Sequence, residues 1–133
     1  MPDPFEQTAE LVRRVMDDIR RGDLGGLLEE ADPDIELRSL LGTVEGGVYS
    51  GHSGLREWFR DVIETFAPLE PGLTGIEEAD GAAIATGHAR GRARSSGVEL
   101  EWDWAALLRA PEGRVVRFSI YRDREELRRA EGV

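Results

Sequence analysis

The chain has no cysteine and only two histidines, His52 and His88. Disulfides, thiolate zinc sites and cysteine nucleophiles are thereby excluded, and too few imidazoles remain for a histidine-rich metal centre. Lysine is absent too, so all 17 basic residues are arginines, set against 27 Asp and Glu. A formal net charge of −10 argues against nucleic acid or an anionic membrane as partner, because phosphate binding needs a dense basic surface. No apolar run approaches the ~20 residues that cross a bilayer, and the start Met1-Pro2-Asp3-Pro4 is unlike a secretion signal, so the expected setting is the cytoplasm. A glycine-rich phosphate loop of the required spacing is also lacking, and no cofactor is expected. What remains is 133 residues, the size of one domain whose single core must stand on packing alone.

Asp3, Pro4 and Glu6 form an N-cap, first-turn proline and capping-box pattern, after which Phe5, Ala9, Val12, Val15, Met16 and Ile19 recur at helical spacing. The pattern predicts a first helix to about Arg21, closed by Gly22, and a short second helix capped by Asp23 with Leu24, Leu27 and Leu28 on one face. Asp32-Pro33-Asp34 ends it, and Ile35-Glu36-Leu37-Arg38 alternates as a short strand. Gly42, Gly46, Gly47 and Gly51 then mark an irregular loop that carries Tyr49. From about Ser53, the positions Leu55, Trp58, Phe59, Val62, Ile63 and Phe66 return to helical spacing until Pro68 and Pro71-Gly72 stop them.

The remainder reads as β. Turn signals at Asp80-Gly81, Ser95-Ser96-Gly97 and Pro111-Glu112-Gly113 divide it into strands at about Leu73–Glu78, Ala82–Arg94, Val98–Leu108 and Arg114–Tyr121. Short links make this four-strand meander antiparallel. Asp123 and Glu126 restart a terminal helix. Helices kept apart from a curved antiparallel sheet define an α+β fold, in which the sheet wraps the helices and a cavity forms where they do not fill it.

The long hairpin has two contrasting faces. With Ser96-Gly97 as a two-residue turn, Arg94 opposes Glu99, Arg92 opposes Glu101 and Arg90 opposes Asp103, with His88 following Arg90 on the same face. On the other face Trp102 and Trp104 cover Gly91 and Ala89. The charged ladder is a solvated face near the turn, while for Arg90, Asp103 and His88 a functional cluster and a structural ion pair both stand. The two indoles read as core or as the contact of a homodimer, with a ligand box as the third reading; left bare on a monomer, such a patch would invite aggregation.

Gly22-Asp23-Leu24, Asp32-Pro33-Asp34-Ile35, Ser50-Gly51 ahead of Leu55-Arg56-Glu57-Trp58-Phe59, Gly113-Arg114-Val115-Val116 and Tyr121-Arg122-Asp123 together resemble SnoaL-like proteins of the nuclear transport factor 2-like superfamily, over nearly the whole chain. The resemblance implies a conical, commonly dimeric fold that hosts ketosteroid isomerases, epoxide hydrolases, polyketide cyclases and non-catalytic binders, so fold does not settle function. Matched onto the steroid isomerases, Val15, Leu37 and Ala105 stand where the oxyanion-hole tyrosine, the general base and the second acid would be, which speaks against that activity. The same match turns Asp103, His88, Arg90 and Trp58 toward the cavity. A histidine and an aspartate on neighbouring strands are similar to the arrangement of polyketide cyclases; of the Asp-Arg-Asp set of epoxide hydrolases, Asp103 and Arg90 supply two parts.

Two functions follow from this reading. In the first, the protein is a cofactor-independent isomerase, cyclase or hydrolase of a small apolar carbonyl or epoxide compound, with Asp103 as base, Arg90 holding a substrate oxygen and His88 donating to the enolate or relaying the proton. Trp58, Tyr49 and Phe118 are its expected substrate contacts. In the second, the protein is a non-catalytic ligand-binding or dimerisation module whose Asp103, His88 and Arg90 form an ion-pair network. His52 reads as a capping or surface residue, and Arg38 and Arg56 as solvated.

Overall fold

The computed structural model describes residues 3–39 and 47–133. Gly42 and Gly46 of the expected glycine-rich loop, and Met1-Pro2, lie outside the described residues.

Helix α1 spans Pro4–Arg21, with the Asp3 carboxylate accepting from the Phe5 backbone N–H at 2.9 Å. Its buried stripe of Ala9, Val12, Val15 and Met16 faces the sheet. Helix α2, Leu24–Glu30, is capped by Asp23, which accepts from Gly26 at 3.0 Å. Strand β1 covers Ala31–Ser39 and β2 covers Val48–Ser50. Helix α3, Gly51–Thr65, buries Leu55, Trp58, Phe59 and Val62. Then come β3 (Phe66–Glu70), β4 (Leu73–Ala79), β5 (Ala82–Ala93), β6 (Glu99–Arg109), β7 (Val115–Tyr121) and helix α4 (Arg124–Glu131), capped by Asp123.

The strands form one curled sheet in the order β2-β1-β7-β6-β5-β3, with β4 also paired to β5. The meander β4 to β7 is antiparallel. Against an all-antiparallel expectation the sheet is mixed, because β1 pairs parallel with β7; α3 and the meander between them supply the long crossover that a parallel pair requires. Strand β3 was not expected: Phe66 leaves the helical run and pairs with Ala93, and beyond a cis Ala67-Pro68 bond Leu69 and Glu70 pair with Gly91 and Arg90 of β5.

The helices α1 and α3 pack on the concave side, over Ala83, Ala85, Ala89, Ala106, Leu108 and Phe118. On the convex side, Leu127 of α4 covers Ala82, Ile84, Ala105 and Leu107. The other half of the convex face carries the charged ladder.

The register of the β5–β6 hairpin differs from the expected one by two residues. Arg92 opposes Glu99, Arg90 opposes Glu101 and His88 opposes Asp103. The cause lies in the loop. Ala93 donates to Val98 at 2.9 Å and Gly97, with φ of 73°, donates to Ala93 at 2.8 Å, which closes a four-residue turn in place of the two-residue one. Arg94 is drawn off the ladder to the end of α3, where its backbone N–H donates to the Thr65 carbonyl at 3.0 Å and its Nε to the Ile63 carbonyl at 2.6 Å. A cation there satisfies free carbonyls and suits the helix dipole. An even shift leaves unchanged which side chains share a face of the sheet.

Candidate functional site

The apolar side of β5 and β6 faces the helices. Trp104 is buried and donates from Nε1 to the Pro71 carbonyl at 2.7 Å, its ring resting on Gly87, where a Cβ would come within 2.4 Å of the indole. Trp102 is half-buried and packs on Phe66 with centroids 5.0 Å apart, above Gly91. From α3, Trp58 meets Phe118 of β7 edge-on at 6.2 Å and 71°, an attractive geometry between quadrupoles. All three tryptophans of the chain thus line one cavity of about 50 Å³, together with Met16, Leu69 and Phe118 among others.

No wall residue of this cavity is titratable. Two polar atoms in the surrounding core stand out. Trp58 is only 2 % exposed and its Nε1–H has no protein acceptor, and the hydroxyl of buried Tyr49 is likewise unpartnered among the described residues. Tyr49 packs in the core opposite Leu37 and is not part of the cavity wall. Trp58 and Phe118, expected as ligand contacts, do line it.

Asp103, His88 and Arg90 are not in the cavity. They stand on the convex face, where the Asp103 side chain is 79 % exposed and Arg90 is 74 % exposed. His88 Nδ1 lies 2.8 Å from Asp103 Oδ1 and its Nε2 lies 3.1 Å from Glu101 Oε1, to which Arg90 Nε also donates at 3.1 Å. Arg92 pairs with Glu99 at 3.0 Å. Hydrogen bonding to Asp103, then to Glu101, raises the His88 pKa, and the His88 and Arg90 contacts lower that of Glu101. The cluster therefore favours an imidazolium held between two carboxylates.

Two placements are corrected together. The acid-base set does not face the cavity, and Trp102 and Trp104 turn toward the helices, Trp104 buried and Trp102 half-buried. Both errors come from one inversion of the sheet. The face bearing Ala83, Ala85, Ala89, Trp102, Trp104, Ala106 and Leu108 turns to the helices and sends the alternate residues to the convex side, where Ala82, Ile84, Ala105 and Leu107 are covered by α4 and the charged ones nearer the turn meet solvent. Arg38 pairs with Glu36 at 3.0 Å on the surface, and His52 Nε2 lies 3.0 Å from the Ala31 carbonyl, tying the start of α3 to β1.

A larger groove, about 870 Å³, runs between the first half of α1 and the turns at Gly81 and Pro111–Gly113. Its charged walls, Glu6, Glu10, Arg14, Glu78 and Glu112, are exposed, which makes it a polar, solvated cleft in contrast to the apolar cavity. On the convex side, Tyr121 donates to Glu131, which also accepts from Arg117 at 2.8 Å; burial, then the Glu131 contact, pushes the phenol up to about 12. Among the described residues no three His, Asp or Glu side chains converge as a metal-ligand set.

One pair of carboxyl groups is buried between α1 and α2. Asp18 Oδ2 and Glu30 Oε2 are both enclosed without a donor, and a Cβ at Gly26 would lie 2.8 Å from Asp18 Oδ1. Burial, then hydrogen bonding to Asp18, pushes Glu30 up to about 8, against the weaker pull of Arg14 at 3.4 Å. Arg21 reaches Asp18 at 3.2 Å. Glu30 sits in the last turn of α2, where the dipole adds to the cost of its ionisation.

A strongly curled mixed sheet closed over α1 and α3, with an interior cavity, is the conical architecture expected above. The SnoaL-like domain model matches residues 12–118. The chain belongs to the SnoaL-like family. Solved structures of similar fold include a nuclear transport factor 2-like protein of unknown function from Burkholderia pseudomallei, 24 % identical, with a TM-score of 0.78 over 92 % of this chain and 95 % of that one. TerC, co-crystallized with polyporic acid, is 18 % identical at a TM-score of 0.77 over 96 % and 99 %. A putative SnoaL-like polyketide cyclase from Jannaschia sp. is 15 % identical at 0.78 over 96 % and 93 %. No curated protein matches the sequence. At these identities the likeness establishes the SnoaL-like fold and leaves activity to the site.

Proposed function

We propose that this SnoaL-like protein is a non-catalytic binder of a small, uncharged, largely apolar molecule held in the aromatic cavity. The observation that carries the reading is the separation of chemistry from cavity: the cavity wall has three indoles and no acid or base, while Asp103, His88 and Arg90 lie across the sheet from it. A general acid or base must come within hydrogen-bond reach of the reacting atoms, and a β-sheet stands between these groups and a cavity occupant. In this reading the three residues form the surface ion-pair network. TerC, crystallized with polyporic acid, shows a neighbour of this fold studied with an organic ligand.

An apolar cavity near ~150 Å³ is known to take up benzene; this one, at about 50 Å³, must widen for a ring to enter. Trp102 is the half-buried indole of the three, packed on Phe66 alone among the described rings, and in this reading it is the wall that gives way. The test is thermal unfolding and tryptophan fluorescence against a panel of apolar ketones, epoxides, steroids and aromatic polyketide mimics, because a ligand of the native state raises the melting point. A melting rise with altered indole emission supports the reading; turnover of any bound compound, abolished by Asp103→Asn, would overturn it.

A further inference from the structure

An indole N–H is a donor with no acceptor capacity, and burying one without a partner costs on the order of 1–3 kcal/mol. Trp104 meets that requirement through Pro71. Trp102 is half-exposed. Among the described residues Trp58 alone of the three is fully buried with its Nε1 unpartnered; its side chain lines the cavity, and Nε1 itself is closed off, so an occupant meets it once the cavity has widened. The other walls, among them Met16, Val62, Leu69 and Phe118, offer hydrocarbon or thioether surface and no counter-charge.

We infer that Trp58 Nε1–H is the specificity-determining donor of this cavity, so that its occupant is an uncharged ring compound presenting one acceptor oxygen to Trp58. This rests on the ligand-binding reading above and adds a selection rule to it. Anions and cations are excluded because their desolvation has no compensating partner in the cavity. A pure hydrocarbon fits the walls but leaves the N–H unpaired, whereas a carbonyl or ether oxygen satisfies it. The unpartnered hydroxyl of Tyr49 is not in the wall and cannot substitute.

Acetophenone and α-methylstyrene differ by C=O against C=CH2 in the same shape, which makes them the test pair. Their dissociation constants are measured by tryptophan quenching on wild type and Trp58→Phe, with benzoate as the charged control. Comparing the two ratios cancels the unequal hydration of the two ligands. The expected result is a ketone-to-alkene preference that falls about 5- to 30-fold in Trp58→Phe, with benzoate not bound. A ratio unchanged by the substitution, or benzoate bound as well as acetophenone, overturns the assignment while leaving the cavity a binding site. Binding of none of the three to wild type, with no hit in the wider panel, overturns both readings together. Should Trp58→Phe not fold, the indole N–H resonances of wild type decide: acetophenone must move that of Trp58, identified through Trp102→Phe and Trp104→Phe, and α-methylstyrene must not move it comparably.

Discussion

Replacing Glu30 by glutamine should remove most of the pH dependence of stability above pH 5. In the folded protein Glu30 holds its proton up to about 8, while the ordinary value is 4.5. Between those limits the folded state carries a proton that the unfolded state has lost, so stability is greatest below 4.5, falls as pH rises, and levels off above about 8. One pKa unit corresponds to ~1.4 kcal/mol, which sets a ceiling of about 5 kcal/mol for this window. The Glu30 side chain is 16 % exposed with Arg14 at 3.4 Å, and solvent contact together with movement of Arg14 reduces the expected loss to roughly 1–3 kcal/mol. His88 acts in the same direction: its raised pKa stabilises below 6.5 and that contribution is lost as pH rises through the folded value. A His88→Gln background removes it. Asp17 and Glu101 are shifted down, so their contributions are present above the ordinary carboxylate range and are lost only as pH falls through it. Urea unfolding from pH 5 to 9 is the assay. In the His88→Gln background, Glu30→Gln should flatten the curve and exceed its parent by about 1–3 kcal/mol at pH 8.5. A parent curve already flat from pH 5 to 8, or one whose slope survives Glu30→Gln, would refute the assignment of this pH dependence to buried Glu30.

Three other perturbations separate the parts of the molecule. Gly87→Ala puts a Cβ within 2.4 Å of the Trp104 ring; overpacking of this kind costs about 1–3 kcal/mol, read by urea unfolding, with a change in Trp104 emission as its bond to Pro71 is strained. Arg94→Ala removes the donor to Ile63 and should cost about 1 kcal/mol, with hydrogen exchange faster in the last turn of α3 and unchanged in α1. Asp103→Asn should leave the melting rise produced by any cavity ligand unchanged, since Asp103 is on the convex face; a rise that disappears in the variant would mean that the ligand sits on the ladder.

Much of the fold was legible because local rules and burial agree. The caps at Asp3, Asp23 and Asp123 place α1, α2 and α4, and the three turn signals separate the meander strands. Strand β3 was not legible, since Phe66 continues the helical spacing and only pairing with β5 makes it extended. The hairpin register was missed because Arg94 answers to α3, a partner 31 residues away. For the site, alternation told correctly which residues share a face, and matching to enzymes then assigned the wrong face to the interior. In the half of the hairpin nearest the turn, area alone would have decided it: two indoles and Ala89 on one side outweigh His88, Arg90, Arg92, Glu99, Glu101 and Asp103 on the other. The Asp18–Glu30 pair carries no signal in the chain order, because the contact arises from the packing of α2 back on α1.

The floor beneath the tryptophans is built from Gly87, Ala89 and Gly91, and there is almost nothing left on those positions to remove. Enlarging the cavity from below is therefore closed as a route of change, whereas shrinking it is one methyl group away. A related chain that accommodates a bulkier guest on this sheet has to find the room in the walls above, by trimming or turning the indoles at 58, 102 and 104 or the side chains at 16, 62, 69 and 118 beside them. The chemical preference of such a pocket is thus written in its roof, and its floor serves as a fixed datum against which the roof can be compared from one family member to the next.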